Sequence, residues 1–331
     1  MTRSESADFG AWYAGRTVVV TGAYGYLGSG LCTRLRDAGA RLRRVTRGRS
    51  EAEADPEAWV GDVAEAEFSR RLVAGADAIF HFAGQTSIKV SQSDPLGDLR
   101  ANVGSTLTML NACERAGHRP AFVYSGTATE LGLTTSVPIA ADRADQPITV
   151  YDANKLASEQ HVGAYTDGGV VQGVTLRIAN VFGPGAVKSA PDRGVTNKLV
   201  ARALAGHDLT YYGDGLLVRD YVYVDDLLDA FFRAPVVASE ATSRSYVVAG
   251  GKGYTFRETF EMIADVAAEL GSRRVGVTSA PWPDGTHPID RRSFLANVEP
   301  LARWMGWRPT TSLLNGLRAT AQALLPTGKE S

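Results

Sequence analysis

Residues 17–28 read Thr-Val-Val-Val-Thr-Gly-Ala-Tyr-Gly-Tyr-Leu-Gly, a short apolar strand followed at once by glycines at positions 22, 25 and 28. The residues that follow have the apolar spacing of a helix. Gly22 and Gly25 present no Cβ to a ligand, Gly28 allows the helix to lie close to its strand, and the helix N-terminus offers free N–H groups. A glycine-rich connector without a ligand can have the same spacing. The strand before it and the helix after it favour a site for a diphosphate.

The composition is that of a globular protein without a charge bias. The chain has 331 residues, 44% of them hydrophobic and 21% charged, and a formal net charge of −1. This balance gives no electrostatic reason to expect binding to nucleic acid or to an anionic membrane. The two cysteines, Cys32 and Cys113, both lie in helical patterns, so we expect buried apolar side chains rather than a disulfide.

The N-terminal segment is polar and lacks the apolar core of a signal peptide. The sequence also lacks a run of about 18 apolar residues, the length that would predict a transmembrane helix. We therefore expect a soluble, cytoplasmic protein with no membrane partner.

Apolar runs alternate with amphipathic stretches through the first 180 residues. The pattern predicts strands near 16–21, 41–46, 77–83, 120–125 and 173–179, and helices near 26–38, 64–74, 97–117 and 150–165. Such alternation predicts an α/β fold of the Rossmann type, a doubly wound parallel sheet with helices on both faces.

The texture of the sequence changes after position 180. We expect a dinucleotide-binding domain over 15–180, a smaller and mainly substrate-binding lobe over 181–325, and tails at 1–14 and 326–331. A strand near 245–248, within the stretch 215–250, is expected to return to the sheet. The C-terminal lobe would then be interleaved with the first domain.

Tyr151 and Lys155 open a predicted helix four residues apart, which places the phenol and the ammonium on one helix face. A free tyrosine has a pKa of about 10, and a neighbouring cation favours the phenolate, so this pair is suited to moving a proton. An isolated pair of this kind is more often a surface aromatic residue beside a solvated lysine. Hydroxyl residues that include Ser125 and Thr127 end the strand predicted near 120–125, where they can bind a substrate oxygen or simply cap a turn.

Together these features resemble the extended short-chain dehydrogenase/reductases that act on nucleotide sugars, the epimerase/dehydratase group. The resemblance extends from about residue 16 to residue 324. The segments that show it, in chain order, are 21–28, 61–63, 77–84, 94–95, 102–106, 151–155, 176–184, 213–215 with 219–221, and 305–309.

The resemblance implies a site and its chemistry. Tyr151 would exchange a proton with a sugar hydroxyl, Thr127 would hydrogen-bond the same oxygen, and Lys155 would hold the nicotinamide ribose. Further cofactor contacts are implied at Gly22, Tyr24, Gly25, Tyr26, Leu27, Asp62, Val63, Phe82, Ala83 and Gly84. Substrate contacts to a nucleotide-diphosphate sugar are implied at Gln85, Thr86, Ser87, Thr127, Thr129, Asn180, Arg193 and Arg219. A homodimer is expected from the resemblance as well.

The chain departs from part of this family directly after Thr127. The sugar 4,6-dehydratases of the family have an Asp-Glu pair there, because elimination of water needs an additional acid and base. Ala128 and Thr129 occupy those positions, which disfavours dehydration. Thr129 also stands where a sugar-acid decarboxylase would have its glutamate, so decarboxylation is disfavoured too. The segment is most similar to that of the hexose 4-epimerases, so epimerisation at a ring carbon, expected at C4, is favoured.

The end of the second predicted strand bears on the cofactor. Many relatives have an acidic residue there that binds the adenosine ribose, whereas this chain has Arg44, Arg47 and Arg49. An arginine can pair with a 2′-phosphate, so we predict NADP, with Arg47 as its partner. A solvated basic rim with NAD as the cofactor remains open.

Two other functions follow from these observations. An NADPH-dependent reductase of 4-keto-6-deoxy nucleotide sugars is the alternative to the epimerase, because a reductase consumes NADPH at every turnover. A non-catalytic NADP sensor with the same fold is a more distant alternative, since the Tyr151–Lys155 pair would have no purpose there. The five histidines, at 81, 118, 161, 207 and 287, show no metal-ligand spacing, so no metal is expected.

Overall fold

The apolar run of the glycine-rich motif forms strand β1 (Thr17–Thr21) of the computed structural model, which describes residues 8–48, 54–134, 137–140, 143–185 and 194–325. Val18, Val19 and Val20 are fully buried, because helices cover both faces of the sheet. This is why the strand is apolar at successive positions rather than at alternate ones.

The strands of the described residues form three sheets. After β1 they are β2 (Arg41–Thr46), β3 (Trp59–Val60), β4 (Ala78–His81), β5 (Ala121–Thr127), β6 (Gln172–Ile178), β7 (Asn180–Phe182), β8 (Leu209–Tyr212), β9 (Val218–Tyr223), β10 (Ser245–Val248), β11 (Gly253–Thr255) and β12 (Val277–Ala280). The main sheet has seven parallel strands in the order β10-β6-β5-β4-β1-β2-β3. Two small sheets, β11-β9-β7 and β12-β8, lie in the C-terminal half.

Helices connect the strands in the alternation that the sequence predicts. They are α1 (Phe9–Trp12), α2 (Tyr26–Asp37), α3 (Ala66–Val73), α4 (Ile88–Ser93), α5 (Pro95–Leu99), α6 (Ser105–Ala116), α7 (Val150–Asp167), α8 (Val195–Leu204), α9 (Val224–Val237), α10 (Phe256–Glu269), α11 (Glu299–Met305) and α12 (Leu313–Leu324). The prediction of a doubly wound, Rossmann-like α/β fold is confirmed.

Two apolar clusters fill the space between the main sheet and its helices. Val18 and Val20 belong to the cluster that includes Leu31 of α2, and Val19 belongs to the cluster that includes Leu72 of α3. Alternate side chains of a strand point to opposite faces, so β1 contributes to both clusters. The centre of the sheet is therefore interior on both faces.

The helix predicted near 97–117 is divided in the structure. Helix α5 begins at Pro95, where the carboxylate of Asp94 accepts a hydrogen bond from the Gly97 N–H at 2.9 Å. A π-helical turn at Arg100–Gly104 then leads into α6. A π-helical turn contains one residue more than an α-helical turn, and the spacing of apolar residues does not reveal it. The sequence pattern therefore predicted one continuous α-helix. Such π turns recur at functional sites.

Strand register brings the ends of three strands to one edge. Thr21 lies beside His81, and His81 lies beside Tyr124. The glycine turn after β1, the segment after β4 and the segment after β5 therefore meet at the carboxyl edge of the sheet, where ligands of such folds bind.

The chain leaves the main sheet after β6 and returns to it at β10, which pairs with β6 from Ser245↔Thr175 to Val248↔Ile178. The intervening residues contribute β7, β8 and β9 of the small sheets together with α8 and α9. The division into a domain at 15–180 and a substrate-binding lobe at 181–325 stays a prediction.

Candidate active site

The glycine turn is shaped by two close approaches of the backbone. Gly22 has φ +65°, a conformation that favours glycine, and a Cβ there would lie 3.2 Å from the Ala83 nitrogen. A Cβ on Gly28 would overlap the carbonyl oxygen of Gly22. Helix α2 therefore lies directly against the glycine turn. Its N-terminus faces the carboxyl edge of the sheet, and no side chain of the N-cap residue caps it, because that residue is Gly25. These features fit the diphosphate of a dinucleotide.

The tyrosines of the turn are held by other parts of the chain. The Tyr24 hydroxyl donates a hydrogen bond to Asp55, and the Tyr26 hydroxyl donates one to the Gly183 carbonyl at 2.8 Å. Asp55 also pairs with Arg44, whose Nη1 lies 2.7 Å from its Oδ2. No local pattern indicates Asp55, because its two partners are Tyr24 in the glycine turn and Arg44 on β2. Leu27 is partly buried against the core.

The arginines at the end of β2 differ in their surroundings. Arg44 is held by Asp55 and by Glu57, whereas the side chain of Arg47 is 73% exposed and lies 3.7 Å from Asp62. Arg47 is thus an exposed guanidinium at the edge where an adenosine ribose would lie. Val63 is buried beneath the same edge.

Tyr151, Lys155 and Thr127 meet at the ends of β5 and α7. Thr149 caps α7 by accepting a hydrogen bond from the Asp152 N–H at 3.0 Å. A side-chain hydrogen bond joins Tyr151 to Thr127. Lys155 is buried, donates a hydrogen bond to the Ser125 carbonyl, and has its Nζ 4.3 Å from the centroid of the Tyr124 ring. The structure therefore brings the three predicted catalytic residues together.

The protein's own groups keep Tyr151 protonated. Burial raises the pKa of Tyr151 above its ordinary value, and the charges of Glu130 and Asp152 raise it further, while the hydrogen bond from Thr127 lowers it. Burial and these carboxylates therefore act against the phenolate that a neighbouring ammonium is expected to favour. A positive charge brought by a ligand would favour the phenolate.

Burial also acts on Lys155. It lowers the pKa of the Lys155 ammonium to about 8, against the charges of Glu130, Asp98 and Glu159, which raise it. His81 is fully buried and hydrogen-bonded to Thr21 at 2.9 Å, and burial followed by the Lys155 charge lowers its pKa to about 3. His81 is thus a neutral, hydrogen-bonded histidine of the core.

A buried ionic cluster supports the segment that contains Thr127. The guanidinium of Arg177 lies 3.0 Å from Glu130 and 2.6 Å from both Asp145 and Glu159. Glu130 in turn accepts a hydrogen bond from the Thr127 N–H at 2.9 Å. Thr127 is therefore fixed by a carboxylate three residues further on, a role the sequence analysis did not assign.

The predicted substrate residues after β4 are engaged with one another. Gln85 donates to the Ser87 carbonyl at 2.7 Å and to Asp98 at 3.0 Å, and Ser87 caps α4. Thr86 is exposed. Phe82, Ala83 and Gly84 form the segment between β4 and Gln85 at the carboxyl edge.

The remaining predicted substrate residues lie around the same edge. The hydroxyl oxygens of Thr129 and Thr127 are 2.9 Å apart, and the exposed Asn180 donates to the Asp220 carbonyl at 2.9 Å. Arg219 donates to the carbonyls of Arg292 and Asp290, the latter at 2.6 Å. Arg193 lies outside the described residues, as does most of the loop around it.

Arg292 is a further buried cation that sequence reasoning missed. Its guanidinium donates hydrogen bonds to the Gly132 carbonyl at 2.7 Å and to the Ala128 carbonyl at 3.3 Å. These two contacts fix the turn that follows Thr127. Burial lowers its pKa to about 10, and among the described residues it is the Asp152 charge that chiefly opposes this. These contacts join positions about 160 residues apart, which leave no local pattern.

Within the described ranges, three or more His, Cys, Asp or Glu side chains nowhere gather as they would around a metal ion. In the same part of the chain, each helix is too short or too polar to cross a membrane.

The fold, the glycine turn and the Tyr151–Lys155 helix define an NAD(P)-dependent enzyme of the extended short-chain dehydrogenase/reductase class. Residues 18–249 match the model of the NAD dependent epimerase/dehydratase family, and the chain belongs to that family.

Proteins of known function support this assignment. The chain is 32% identical over 326 residues to the UDP-glucose 4-epimerase of Azospirillum brasilense, covering 92% of this chain and 90% of the relative. It is similar to the crystal structure of Thermus thermophilus UDP-glucose 4-epimerase in complex with NAD (27% identity, TM-score 0.78, 94% of this chain and 99% of the other). It is also similar to Thermotoga maritima UDP-glucose 4-epimerase with UDP-glucose (25% identity, TM-score 0.80, 93% and 98%).

Replacement of the central cation of the buried cluster tests its contribution to stability. Arg177→Met is expected to lower the free energy of unfolding by about 3–5 kcal/mol, because buried carboxylates lose the charge they face. Urea unfolding followed by tryptophan fluorescence measures the loss.

Arg274→Met is the matched control for this change. Arg274 also has two carboxylate partners, Glu261 at 2.6 Å and Asp265 at 2.7 Å, but at the surface. Water screens those pairs, so the control should unfold at nearly the wild-type urea concentration. Equal losses in the two variants would contradict a special contribution of the buried cluster.

Proposed function

We propose that this protein is a nucleotide-diphosphate-sugar 4-epimerase, with UDP-glucose as the first substrate to test. The observation that chiefly supports the proposal is the convergence of Tyr151, Thr127 and Lys155 at the carboxyl edge of the sheet. The activity for which these relatives are named, epimerisation of UDP-glucose at C4, supports the choice of substrate.

The proposed chemistry divides between the cofactor and the chain. A bound nicotinamide dinucleotide supplies the acceptor and the donor of the hydride at C4. Tyr151 takes the proton of the C4 hydroxyl as that carbon is oxidised and returns it to the oxygen when the carbon is reduced on its other face. Thr127 hydrogen-bonds the same oxygen, and Lys155 donates to the ribose of the cofactor and favours the phenolate.

The surroundings of Thr127 support epimerisation over dehydration. Ala128 is buried and Thr129 presents a hydroxyl to Thr127, so neither supplies the acid that loss of water requires. The carboxylate closest in sequence, Glu130, is buried between Arg177 and the Thr127 backbone.

Loss of the phenolic hydroxyl tests the role of Tyr151. Tyr151→Phe is expected to lower the rate of conversion of UDP-glucose to its C4 epimer by about 10²–10⁴-fold, because the proton acceptor is gone. Chromatographic separation of the two nucleotide sugars measures the rate. Tyr165→Phe, on the same helix and half-buried, is the control and should retain the wild-type rate. Full activity of Tyr151→Phe would overturn the mechanism, whereas wild-type protein without turnover would favour the sensor.

A 4-ketoreductase is the second candidate, and the exposed Arg47 favours it. A reductase would consume NADPH in proportion to an added 4-keto nucleotide sugar, whereas an epimerase regenerates its cofactor. Stoichiometric loss of NADPH absorbance would therefore replace the epimerase by the reductase.

For the cofactor we propose NADP. Arg47 is exposed, the nearest carboxylate oxygen of the described residues is 3.7 Å away, and β2 includes no acidic side chain that would repel a 2′-phosphate. The Thermus thermophilus relative is described in complex with NAD, so the choice between the two dinucleotides needs its own test.

Reversal of the charge at this position tests the cofactor. Arg47→Glu is expected to weaken binding of NADPH by roughly 10- to 100-fold and to leave NADH binding within a small factor, because a charged hydrogen bond to the 2′-phosphate is lost. Fluorescence titration of the nicotinamide measures both affinities. Arg36→Glu, an exposed residue of α2, carries the same charge change and should leave the ratio of the two affinities unaltered. Parallel losses for NADH and NADPH in Arg47→Glu would contradict the assignment.

We further propose a cytoplasmic homodimer. Val90, Leu96 and Leu99 are exposed apolar residues on neighbouring helices α4 and α5, which pack against α7. A second copy of the chain would cover this surface. Light scattering should give twice the mass of the chain, and a monomer at micromolar concentration would contradict the dimer.

A further inference from the structure

Asp98 is a buried carboxylate with three side-chain amide partners. It is 1% exposed, although it lies in the short helix α5 among exposed neighbours. Its Oδ1 accepts hydrogen bonds from Gln85 at 3.0 Å and from Asn102 at 3.1 Å. Its Oδ2 accepts one from Asn154 at 2.7 Å. Hydrogen bonds to an ionised acceptor are the stronger kind, so these contacts offset the cost of burying the charge.

The three amides belong to three different segments of the candidate site. Gln85 follows β4 at the carboxyl edge, Asn102 lies in the π-helical turn, and Asn154 lies in the first half of α7. Asn102 also donates to the Gln85 carbonyl at 3.2 Å. A Cβ on Gly84 would overlap the side-chain oxygen of Asn102, so this glycine permits the close packing. Asp98 is thus the point at which these segments are joined.

The contact with Asn154 is the one that bears on catalysis. Asn154 directly precedes Lys155 and stands three residues after Tyr151, so it shares the first turns of α7 with both. A hydrogen bond to this side chain fixes the rotation of the helix relative to the segment after β4. A displacement of about 1 Å in such a site can lower a rate by about 10²-fold.

The charges around Lys155 give Asp98 a second effect. Three carboxylates interact with the Lys155 ammonium: Glu130, which follows β5, Glu159 on α7, and Asp98 on α5. The neutral His81, at the end of β4, also interacts with this ammonium. The phenols of Tyr151 and Tyr124 complete the titratable groups, with the ring of Tyr124 facing the ammonium, and Arg177 lies behind the two glutamates. The Asp98 charge raises the pKa of Lys155.

We propose that Asp98 is a positioning residue of the enzyme: its carboxylate holds the turn of α7 that carries Tyr151 and Lys155 against the Gly84–Gln85 segment, and its charge balances the buried ammonium. The inference rests on the proposed function in that it assigns Asp98 to the same catalytic site. The positioning role requires the hydrogen bond from Asn154 to Asp98. The effect on the protonation of Lys155 requires the negative charge of Asp98.

Three substitutions separate the geometry from the charge. Asp98→Asn removes the charge and places an amide opposite three amide donors. Asn154→Ala removes the bond to α7 and keeps the charge of Asp98. Asp94→Asn is the control, because the exposed Asp94 lies four residues away and caps α5, where Asn serves equally well.

The first measurement does not depend on catalysis. The ¹³Cε signal of Lys155, in lysine-labelled protein and assigned with Lys155→Arg, is followed against pH. Asp98→Asn is expected to lower its titration midpoint by about one pH unit, because an opposite charge that favours the ammonium is gone. Asp94→Asn should leave the midpoint unchanged. An unchanged midpoint in Asp98→Asn overturns the charge balance.

The second measurement uses turnover of the nucleotide sugar. Asn154→Ala is expected to lower kcat by about tenfold with KM within a factor of two, since positioning acts on the reacting groups rather than on substrate binding. A wild-type kcat in Asn154→Ala overturns the positioning role. This measurement can be made whether or not Asp98→Asn folds. Failure of the proposed function would show instead as wild-type protein without turnover, in which case the Lys155 midpoint still decides the charge effect.

Discussion

The hydrogen bond from the Lys155 ammonium to the Ser125 carbonyl is the contact on which the site depends. It joins α7 to the carboxyl end of β5, and the aromatic face of Tyr124 lies beside it. A buried ammonium must donate to hydrogen-bond acceptors to offset the loss of water. Because the Ser125 carbonyl is such an acceptor, this lysine has few alternative positions. Tyr151, one turn earlier on the helix, is placed over the strand end by the same contact.

Buried charge is distributed on both sides of this lysine. On one side, Arg177 draws Glu130 and Glu159 together and so fixes the Thr127 backbone. On the other side, Asp98 draws amides from three segments. The reacting groups therefore lie between two buried polar networks, and pre-organisation of this kind is what an enzyme gains from burying polar groups that cost stability.

The sequence predicted what depends on neighbours along the chain. The glycine turn and the Tyr151–Lys155 helix each occupy one short segment, so spacing alone indicated them, and the alternation of elements predicted the fold. Asp98 and Arg292 escaped prediction, because Asn154 and the Gly132 carbonyl, their partners, are distant in the sequence and become neighbours only in the folded chain. Asp55 escaped it because it lies in no regular pattern with Tyr24 or Arg44. Burial and the nearby carboxylates raise the pKa of Tyr151, and the spacing of Tyr151 and Lys155 could not reveal them, since burial is a property of the tertiary structure.

The return of the chain at β10 has a consequence for biosynthesis. When the ribosome has released the first 180 residues, β6 has β5 on one side and an unpaired edge on the other, because β10 has not yet been made. A strand with a free edge can pair with other chains. The nascent chain must therefore pass through a period in which β6 needs shielding, and the sheet is completed only after the residues between β6 and β10 have been synthesised.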